Sequence, residues 1–257
     1  MGKRGTDVAR EAADLVLSDD SFASIVGGVR LGRRIFTNLR RALTYITAIH
    51  VPIAGLALAP ILFGMPPLLF PMHVVLLELA IDPICALVFE GEPSERTAMR
   101  RPPRPRKEAL FGPHQLAKAF TQGMGVLIGV FCLYAILLQH TAEPVARGGA
   151  FIALVLANLV LALADAMAND GRLLAPHRRV FWSIVGALLL LLATVFAVPP
   201  LASIFRVAAP DLSIVLVSVM VALVSGAWLR GGEAVLARMR STSAASKSDQ
   251  APNRPLA

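Results

Sequence analysis

Two carboxylates lie in the middle of one long apolar run, and their spacing puts them on one helix face. Glu78 and Asp82 are i and i+4, one helical turn apart. Pro83 follows directly; its ring removes a backbone donor and disfavours helical geometry at Asp82, so carbonyls near residues 78 and 79 lose their partners. This oxygen-rich pattern predicts a site for a metal cation or for protons. The alternative is a pair of charges satisfied by neighbouring helices.

A preceding apolar run carries His50 and, two residues later, Pro52. A lone membrane histidine is nearly as often a packing residue as a ligand, but two proline-interrupted helices joined as a hairpin favour a ligand or a proton relay. Asn158, in a later run, is a candidate oxygen ligand or an interhelical hydrogen-bonding residue. His73 and Asp165 lie near the ends of their runs, so we expect both at the membrane interface.

The elements that must position these residues are membrane helices. Of 257 residues, 56% are apolar and 16% are charged, whereas a soluble domain is about 25% charged. The apolar residues form runs of about 20, the length of helix that crosses a bilayer core. We therefore predict an all-α membrane protein with a six-transmembrane-helix bundle at about 42–63, 68–89, 115–138, 149–166, 180–198 and 212–229. The two cysteines, Cys85 and Cys132, both lie in apolar runs and indicate no disulfide framework.

The basic residues predict the orientation. All but three of the 25 Lys and Arg residues lie before the first run, after the second, after the fourth or in the tail; the exceptions are Lys118, Arg147 and Arg206. The positive-inside rule puts these segments and both termini in the cytoplasm. We expect an integral protein of a bacterial-type plasma membrane. Because the charge runs are topology signals, the expected partner is the lipid bilayer and not nucleic acid.

The polar lead-in is predicted to contain pieces of an α/β domain. Val8–Ala13 predicts a helix capped by Thr6 or Asp7, and Leu15–Leu17 a short strand. Residues 1–21 are too few to bury a core, so we interpret them as the end of a larger domain. A stalk helix is predicted at 22–41, a transmembrane domain at 42–230 and a disordered tail at 231–257.

Spaced motifs resemble those of P-type ATPases. The stretch from Gly2 through Gly5, Thr6 and Asp7, with Ala13-Asp14-Leu15-Val16-Leu17, is similar to the end of the family's HAD-like phosphorylation domain. Ile35-Phe36-Thr37-Asn38 resembles the stalk before the fifth membrane helix. Glu90-Gly91-Glu92-Pro93 and Arg101-Pro102-Pro103-Arg104 resemble the pattern after the sixth helix. The resemblance covers residues 1–110 by motif and the last four helices by hydropathy and count.

This resemblance implies helices five to ten of a ten-helix cation pump of the calcium, sodium–potassium or proton type. Asp82 matches the family's central cation-binding aspartate. Glu78 and His50 each fall where the calcium pump has a ligand Asn, and Asn158 lies at about the eighth-helix ligand position. Heavy-metal pumps have only two membrane helices after the phosphorylation domain, so six predicted spans argue against copper or zinc export.

Two departures leave the transported cation open. Ile53 and Ile81 stand where the calcium pump has a ligand Glu and a ligand Thr, so one carboxylate is lost at position 53 and another is gained at Glu78. The candidates are H⁺, Na⁺, K⁺, Mg²⁺, Mn²⁺ and Ca²⁺.

The family's phosphorylated Asp-Lys-Thr-Gly loop and its nucleotide domain are not in this sequence. We expect Mg²⁺ and ATP to serve a complete pump and neither to be bound by this chain alone. The expected partner is then the N-terminal part of the pump. The alternatives are a stand-alone passive cation channel or carrier and a non-functional truncated remnant.

Overall fold

The computed structural model describes residues 2–93, 97–103, 105, 109–167 and 173–228, and over these ranges the chain contains helices and no strand. Short 3₁₀ turns at Ala98–Arg100 and Pro176–Arg178 lie in the two loops at the end that carries the stalk. We call that end the stalk end, and the end with residues 64–70, 141–142 and 198–211 the hairpin end. The helices are α1 (Asp7–Glu11), α2 (Phe22–Leu62), α3 (Pro71–Pro83, continued by the π-helix Ile84–Phe89), α4 (Pro113–His140), α5 (Glu143–Ala166), α6 (Arg179–Ala197), α7 (Pro199–Phe205) and α8 (Leu212–Trp228).

Within the described ranges, five helices are long and apolar enough to cross a membrane: α2, α3 with its π-helical continuation, α4, α5 and α6. They confirm the predicted helical membrane bundle. A sixth span is not shown, since α8 has 17 residues in the described part of the chain.

The predicted stalk and first span form one helix. α2 has 41 residues and contains both Pro52 and Pro60, so it is about 62 Å long. Pro52 has no N–H to donate to the carbonyl of Ala48. That carbonyl faces Gly123 of α4, where any Cβ would collide with it and would lie 2.6 Å from the Cβ of Val51. Gly123 therefore lets α4 pack directly onto the proline-interrupted turn of α2.

Further glycines bring α8 against the bundle. A Cβ on Gly129 would lie 2.9 Å from the Cβ of Ser225, and one on Gly226 would lie 2.9 Å from that of Val160. Gly125 is likewise in contact with the indole of Trp228. The small residues of α4 thus serve helix packing within the chain, with α5 as the central and most buried helix.

The lead-in is only partly as predicted. Thr6 caps α1, its Oγ1 accepting the N–H of Ala9 at 3.3 Å. The strand expected at Leu15–Leu17 is wrong: the segment pairs with no strand among the described residues, and the carbonyl of Leu17 accepts the N–H of Gly2 at 2.7 Å. A strand without a partner is not stable in water. Asp19 lies just before the stalk. The Ser24 hydroxyl donates to its carboxylate and has the largest effect on its pKa, the Ser21 N–H also donates to it, and both hydrogen bonds lower that pKa.

A buried polar junction joins three elements at the stalk end. Nε of Arg34 and Nδ2 of Asn38 both donate to the carbonyl of Glu92 at 2.9 Å. The Glu92 carboxylate lies 3.5 Å from Nε of Arg178, and the two side chains are 2% and 1% exposed. Arg178 also donates to the carbonyl of Ala166 at 2.8 Å. Glu92 therefore joins three elements: its carbonyl accepts hydrogen bonds from the stalk, and its carboxylate forms a buried ion pair at the start of α6.

A second buried arginine joins the elements at the hairpin end. Arg147 of α5 is 2% exposed. Its Nε donates to the carbonyl of Pro67 at 3.1 Å and its Nη1 to that of Arg206 at 2.6 Å, while Nη2 pairs with Glu143. The connection between α2 and α3, the start of α5 and the residue after α7 thus share one guanidinium.

Gly123→Ala is expected to destabilise the chain by about 1–3 kcal/mol, because the new methyl group meets a backbone carbonyl that cannot move aside. Gly186→Ala in α6 is the matched control, since a Cβ there meets nothing within 4 Å. Thermal unfolding of the detergent-purified chain should show a lower melting temperature for Gly123→Ala and an unchanged or higher one for Gly186→Ala. Equal shifts would contradict the close α2–α4 packing.

Glu92→Gln is expected to lower the free energy of unfolding by about 3–5 kcal/mol, because it removes the carboxylate from a buried guanidinium. The double variant Glu92→Arg/Arg178→Glu should recover part of this loss. Asp7→Asn is the control: Asp7 and Arg10 are also 3.5 Å apart, but this pair is exposed, and such pairs contribute little. Similar melting temperatures for Glu92→Gln and Asp7→Asn would show that the buried pair does not stabilise the junction.

Candidate functional site

The structure brings His50 and Glu78 together. Nε2 of His50 on α2 lies 3.6 Å from Oε1 of Glu78 on α3. The two helices form the hairpin expected from the Gly64-to-Pro67 break, and Gly64 adopts a φ of +69° in the turn. Because the chain reverses there, the middle of α2 faces the middle of α3. The two candidate site residues that the sequence placed on separate helices are therefore one pair.

The hydrogen bonds of His50 define what this pair can hold. Nδ1 lies 2.7 Å from the carbonyl of Ile46, and a carbonyl only accepts, so Nδ1 carries a proton. In a neutral ring Nε2 then has a lone pair and repels an ionised carboxylate. Attraction between Nε2 and Glu78 needs one further proton, on either partner, or a cation between them. The contact is therefore suited to a positive charge.

The side of His50 that faces α4 is apolar. A groove of about 650 Å³ opens beside the ring between α2 and α4. Its lining offers a single hydroxyl, that of Thr47, and no ionisable group apart from His50 itself. The lining residues are Ile46, Thr47, His50, Val51, Ala54, Phe120, Met124 and Leu127. The charged partners of His50 among the described residues therefore come from α3.

Asp82 lies one turn beyond Glu78 and is exposed. The predicted interruption at Pro83 takes the form of a π-helix over Ile84–Phe89, so the helix widens and does not unwind. Pro83 cannot donate to the carbonyl of Leu79. Single π-helical turns often mark functional sites, because they shift the register of backbone and side chains.

The pair lies on a lateral face of the bundle and is not enclosed. The side chains of His50 and Glu78 are 52% and 42% exposed. A carboxylate that faces hydrocarbon costs about 2.5–3.5 kcal/mol on insertion scales. No cluster of three or more His, Cys, Asp or Glu residues suited to a metal is found within the described ranges. Within the described residues the pair is thus open on one side.

Asn158 is buried in α5, and neither its side-chain oxygen nor its nitrogen has a hydrogen-bond partner among the described residues. On α2 its neighbour is Tyr45, whose hydroxyl lies 3.5 Å from the main-chain oxygen of Asn158. No hydrogen bond of its side chain reaches His50 or Glu78. Asn158 therefore belongs to the bundle interior, while the pair lies on the bundle surface.

Tyr45 and Gln122 are among the buried polar residues that were not predicted from the sequence. Tyr45 is fully buried, and Gln122 of α4 is 2% exposed with an Oε1 that accepts no hydrogen bond from the described residues. Gln122 had a visible signal, since it is an amide inside an apolar run. Tyr45 had none, because a tyrosine close to a predicted membrane boundary is commonly an interfacial residue.

Two residues expected at the membrane interface are buried in protein. His73 is fully buried, with its ring edge-on to Phe151 and Phe205. Asp165 is 4% exposed. Both residues lie near helix ends as expected, but neighbouring elements cover those ends: α7 packs over the start of α3, and Arg178 donates to Ala166 next to Asp165.

The remaining candidate residues lie in the lead-in. Gly2 packs against Leu17, where any Cβ would lie 2.8 Å from the Leu17 carbonyl. Thr6 caps α1, and Asp7 forms its exposed pair with Arg10. Gly5 lies in the bend before the cap. These contacts are local and assign no binding role to the segment.

Comparison with known proteins gives concordant matches. Residues 66–234 match the family described as "Cation transporting ATPase, C-terminus". The chain is 32% identical over 216 residues to a calcium-transporting ATPase of Bacillus subtilis (strain 168), covering 81% of this chain and 24% of that protein. It is 36% identical over 142 residues to the sodium/potassium-transporting ATPase subunit alpha-3 of Gallus gallus, covering 54% and 14%.

A third relative, the sodium/potassium-transporting ATPase subunit alpha-4 of Homo sapiens, is 36% identical over 148 residues, which are 56% of this chain and 14% of that protein. The chain thus spans at most about a quarter of the length of these relatives. The family match covers more than half of the chain and includes Glu78, Asp82 and Asn158. The chain belongs to the P-type cation-transporting ATPases and corresponds to their C-terminal membrane region.

Proposed function

We propose that this chain is the cation-translocating membrane part of an ATP-driven P-type pump, with the cation bound at mid-membrane between α2 and α3. Glu78 and Asp82 supply the carboxylates and His50 lies across from Glu78, whereas Asn158 lies in the bundle interior away from this pair. The observation that carries the proposal is the His50–Glu78 contact, 3.6 Å across two membrane helices and suited to a positive charge. Carboxylate oxygens are suitable ligands for hard cations.

The open face implies a covering element. Partly exposed carboxylates at membrane depth are expected to face protein or water, because hydrocarbon cannot solvate them. We infer that the upstream membrane helices of the pump cover Glu78 and Asp82 and supply further ligands. Without that cover we expect the bundle to be partly open on this side. Mg²⁺ and ATP would act on the upstream cytoplasmic domains.

Orientation and span number are parts of the same proposal. The excess of Lys and Arg at the stalk end supports a cytoplasmic location for it and for both termini, in a plasma membrane of the bacterial type. α8 completes six helices, equivalent to helices five to ten of the pump, since its glycine and serine contacts seat it on α4 and α5. We assign residues 1–21 to the end of the phosphorylation domain.

The stalk supplies a route for coupling. α2 is one helix from Phe22 to Leu62, so a tilt imposed near residue 22 would move His50 without an intervening loop. The backbone carbonyls of Ala98, Arg101 and Leu110 accept from Arg33 and Arg40, which ties the loop after α3 to the same helix. Movement of α2 against α3 would change the distance from His50 to Glu78 and so the affinity for the cation.

One cation among H⁺, Na⁺, K⁺, Mg²⁺, Mn²⁺ and Ca²⁺ is expected to raise the melting temperature of the detergent-purified chain in a saturable way, because a ligand that binds only the folded state stabilises it. Glu78→Gln and Asp82→Asn should each remove at least 80% of this shift. Asp211→Asn is the matched control, since Asp211 is an exposed carboxylate at the hairpin end, and it should keep the shift.

Equal shifts in all four proteins would contradict a site at Glu78 and Asp82 and would indicate non-specific ion effects. No saturable shift with any cation would contradict binding by these residues within the chain. A passive carrier would bind the cation equally well, so ion-dependent phosphoenzyme formation in native membranes separates the two functions. The pump predicts that it occurs.

A further inference from the structure

His73 occupies an unusual position at the hairpin end. It lies in the first turn of α3 and is fully buried. Its Nδ1 accepts the main-chain N–H of Phe70 at 3.1 Å. The main-chain N–H of His73 in turn donates to the carbonyl of Phe70 at 2.9 Å. The ring therefore closes the helix start in a reciprocal capping arrangement. Since Nδ1 accepts, the proton of the neutral ring lies on Nε2.

The rest of the ring is surrounded by aromatic side chains. Phe151 of α5 lies with its ring centroid 4.6 Å away at 81°, and Phe205 of α7 lies 5.4 Å away at 85°. Nε2 has no hydrogen-bond partner among the described residues. This environment accepts a neutral imidazole, and it gives an imidazolium no anionic partner.

The charged groups around His73 also oppose a second proton. From α5 come Arg147, which is buried, and Glu143, whose carboxylate is already paired with Arg147. Arg206, after α7, stacks over Phe70 with its Cζ 4.6 Å from the ring centroid. From α4 comes the Tyr134 hydroxyl, which donates to the carbonyl of Pro66 at 2.9 Å. α6 has no ionisable side chain beyond Arg179, and the second half of α2 beyond His50 has none either.

We propose that His73 is an acid-sensitive clasp that holds the hairpin end of the bundle closed only while its ring is neutral. A proton added to Nδ1 removes the acceptor for Phe70. It also places a second cation near Arg147, whose carboxylate partner Glu143 is already paired with that guanidinium. The protonated ring must leave this position, and its departure frees residues 66–73 from α5 and α7. The stability held by the clasp is present at neutral pH and is lost as the pH falls below about 6.5, where a free histidine becomes charged.

This device is distinct from the cation site. His73 and Glu78 lie more than one helical turn apart on α3, and the clasp involves neither carboxylate of the site. In the proposed orientation the hairpin end faces the outside of the cell, so the clasp would respond to external acid. Thermal unfolding in detergent exposes both ends of the bundle to the same pH, so that measurement does not depend on the orientation.

The experiment is thermal unfolding of the purified chain at pH 7.5 and pH 5.5. The variants are His73→Gln, whose side-chain oxygen can still accept from Phe70 but does not titrate in this range, and His140→Gln. His140 is exposed and ends α4 at the same end of the bundle. The wild type should lose at least 5 °C in melting temperature at pH 5.5. His73→Gln should remove at least half of that loss, and His140→Gln should keep it.

An unchanged pH dependence in His73→Gln would overturn the proposal. If that variant does not fold, hydrogen exchange of the wild type decides. After correction for the intrinsic rate, peptides covering residues 66–73 should exchange at least threefold faster at pH 5.5 than at pH 7.5, while α4 from Gly123 to Leu133 should not change. Equal protection of residues 66–73 at both pH values would also overturn it.

Discussion

Hydrocarbon offers no hydrogen bonds, so every polar group of this chain that enters a bilayer must find its partner within protein or beside water. The two ends of the bundle satisfy this constraint with buried arginines. Arg178 joins Glu92 to the start of α6, and Arg147 ties two backbone segments, at Pro67 and at Arg206, to α5. A guanidinium suits this role because it presents several donors in a fixed plane and keeps its charge. The connections are therefore fixed, although most of them have no secondary structure of their own.

The middle of the bundle does not satisfy the same constraint. His50 and Glu78 partner each other across two helices, yet both are about half exposed, and Asp82 is exposed as well. A structural role alone would bury such groups or replace them with apolar residues. A transport role explains their cost, since a site that both binds and releases a cation needs polar groups with access to an opening. The proposed cation site therefore lies on this face of the α2–α3 hairpin.

Much of this could be predicted from the sequence. The apolar runs gave the spanning helices because backbone satisfaction in lipid leaves few options, and the i, i+4 spacing of Glu78 and Asp82 fixed their common face. Burial near helix ends could not be predicted. His73 and Asp165 are covered by elements distant in sequence, and only tertiary packing shows this. The strand at Leu15–Leu17 failed for the same reason, because a strand depends on a partner that local propensity does not reveal.

The central claim, that this chain acts as the membrane part of a longer or assembled pump, is tested most directly by the size of the native protein. Source membranes are separated by electrophoresis and probed with an antibody raised against residues 241–257, which lie outside the described residues. The pump assignment predicts a band several times heavier than 27.3 kDa. A 27.3 kDa band that co-purifies with a polypeptide carrying the phosphorylated aspartate would equally satisfy it. A solitary 27.3 kDa chain with no such partner would contradict it.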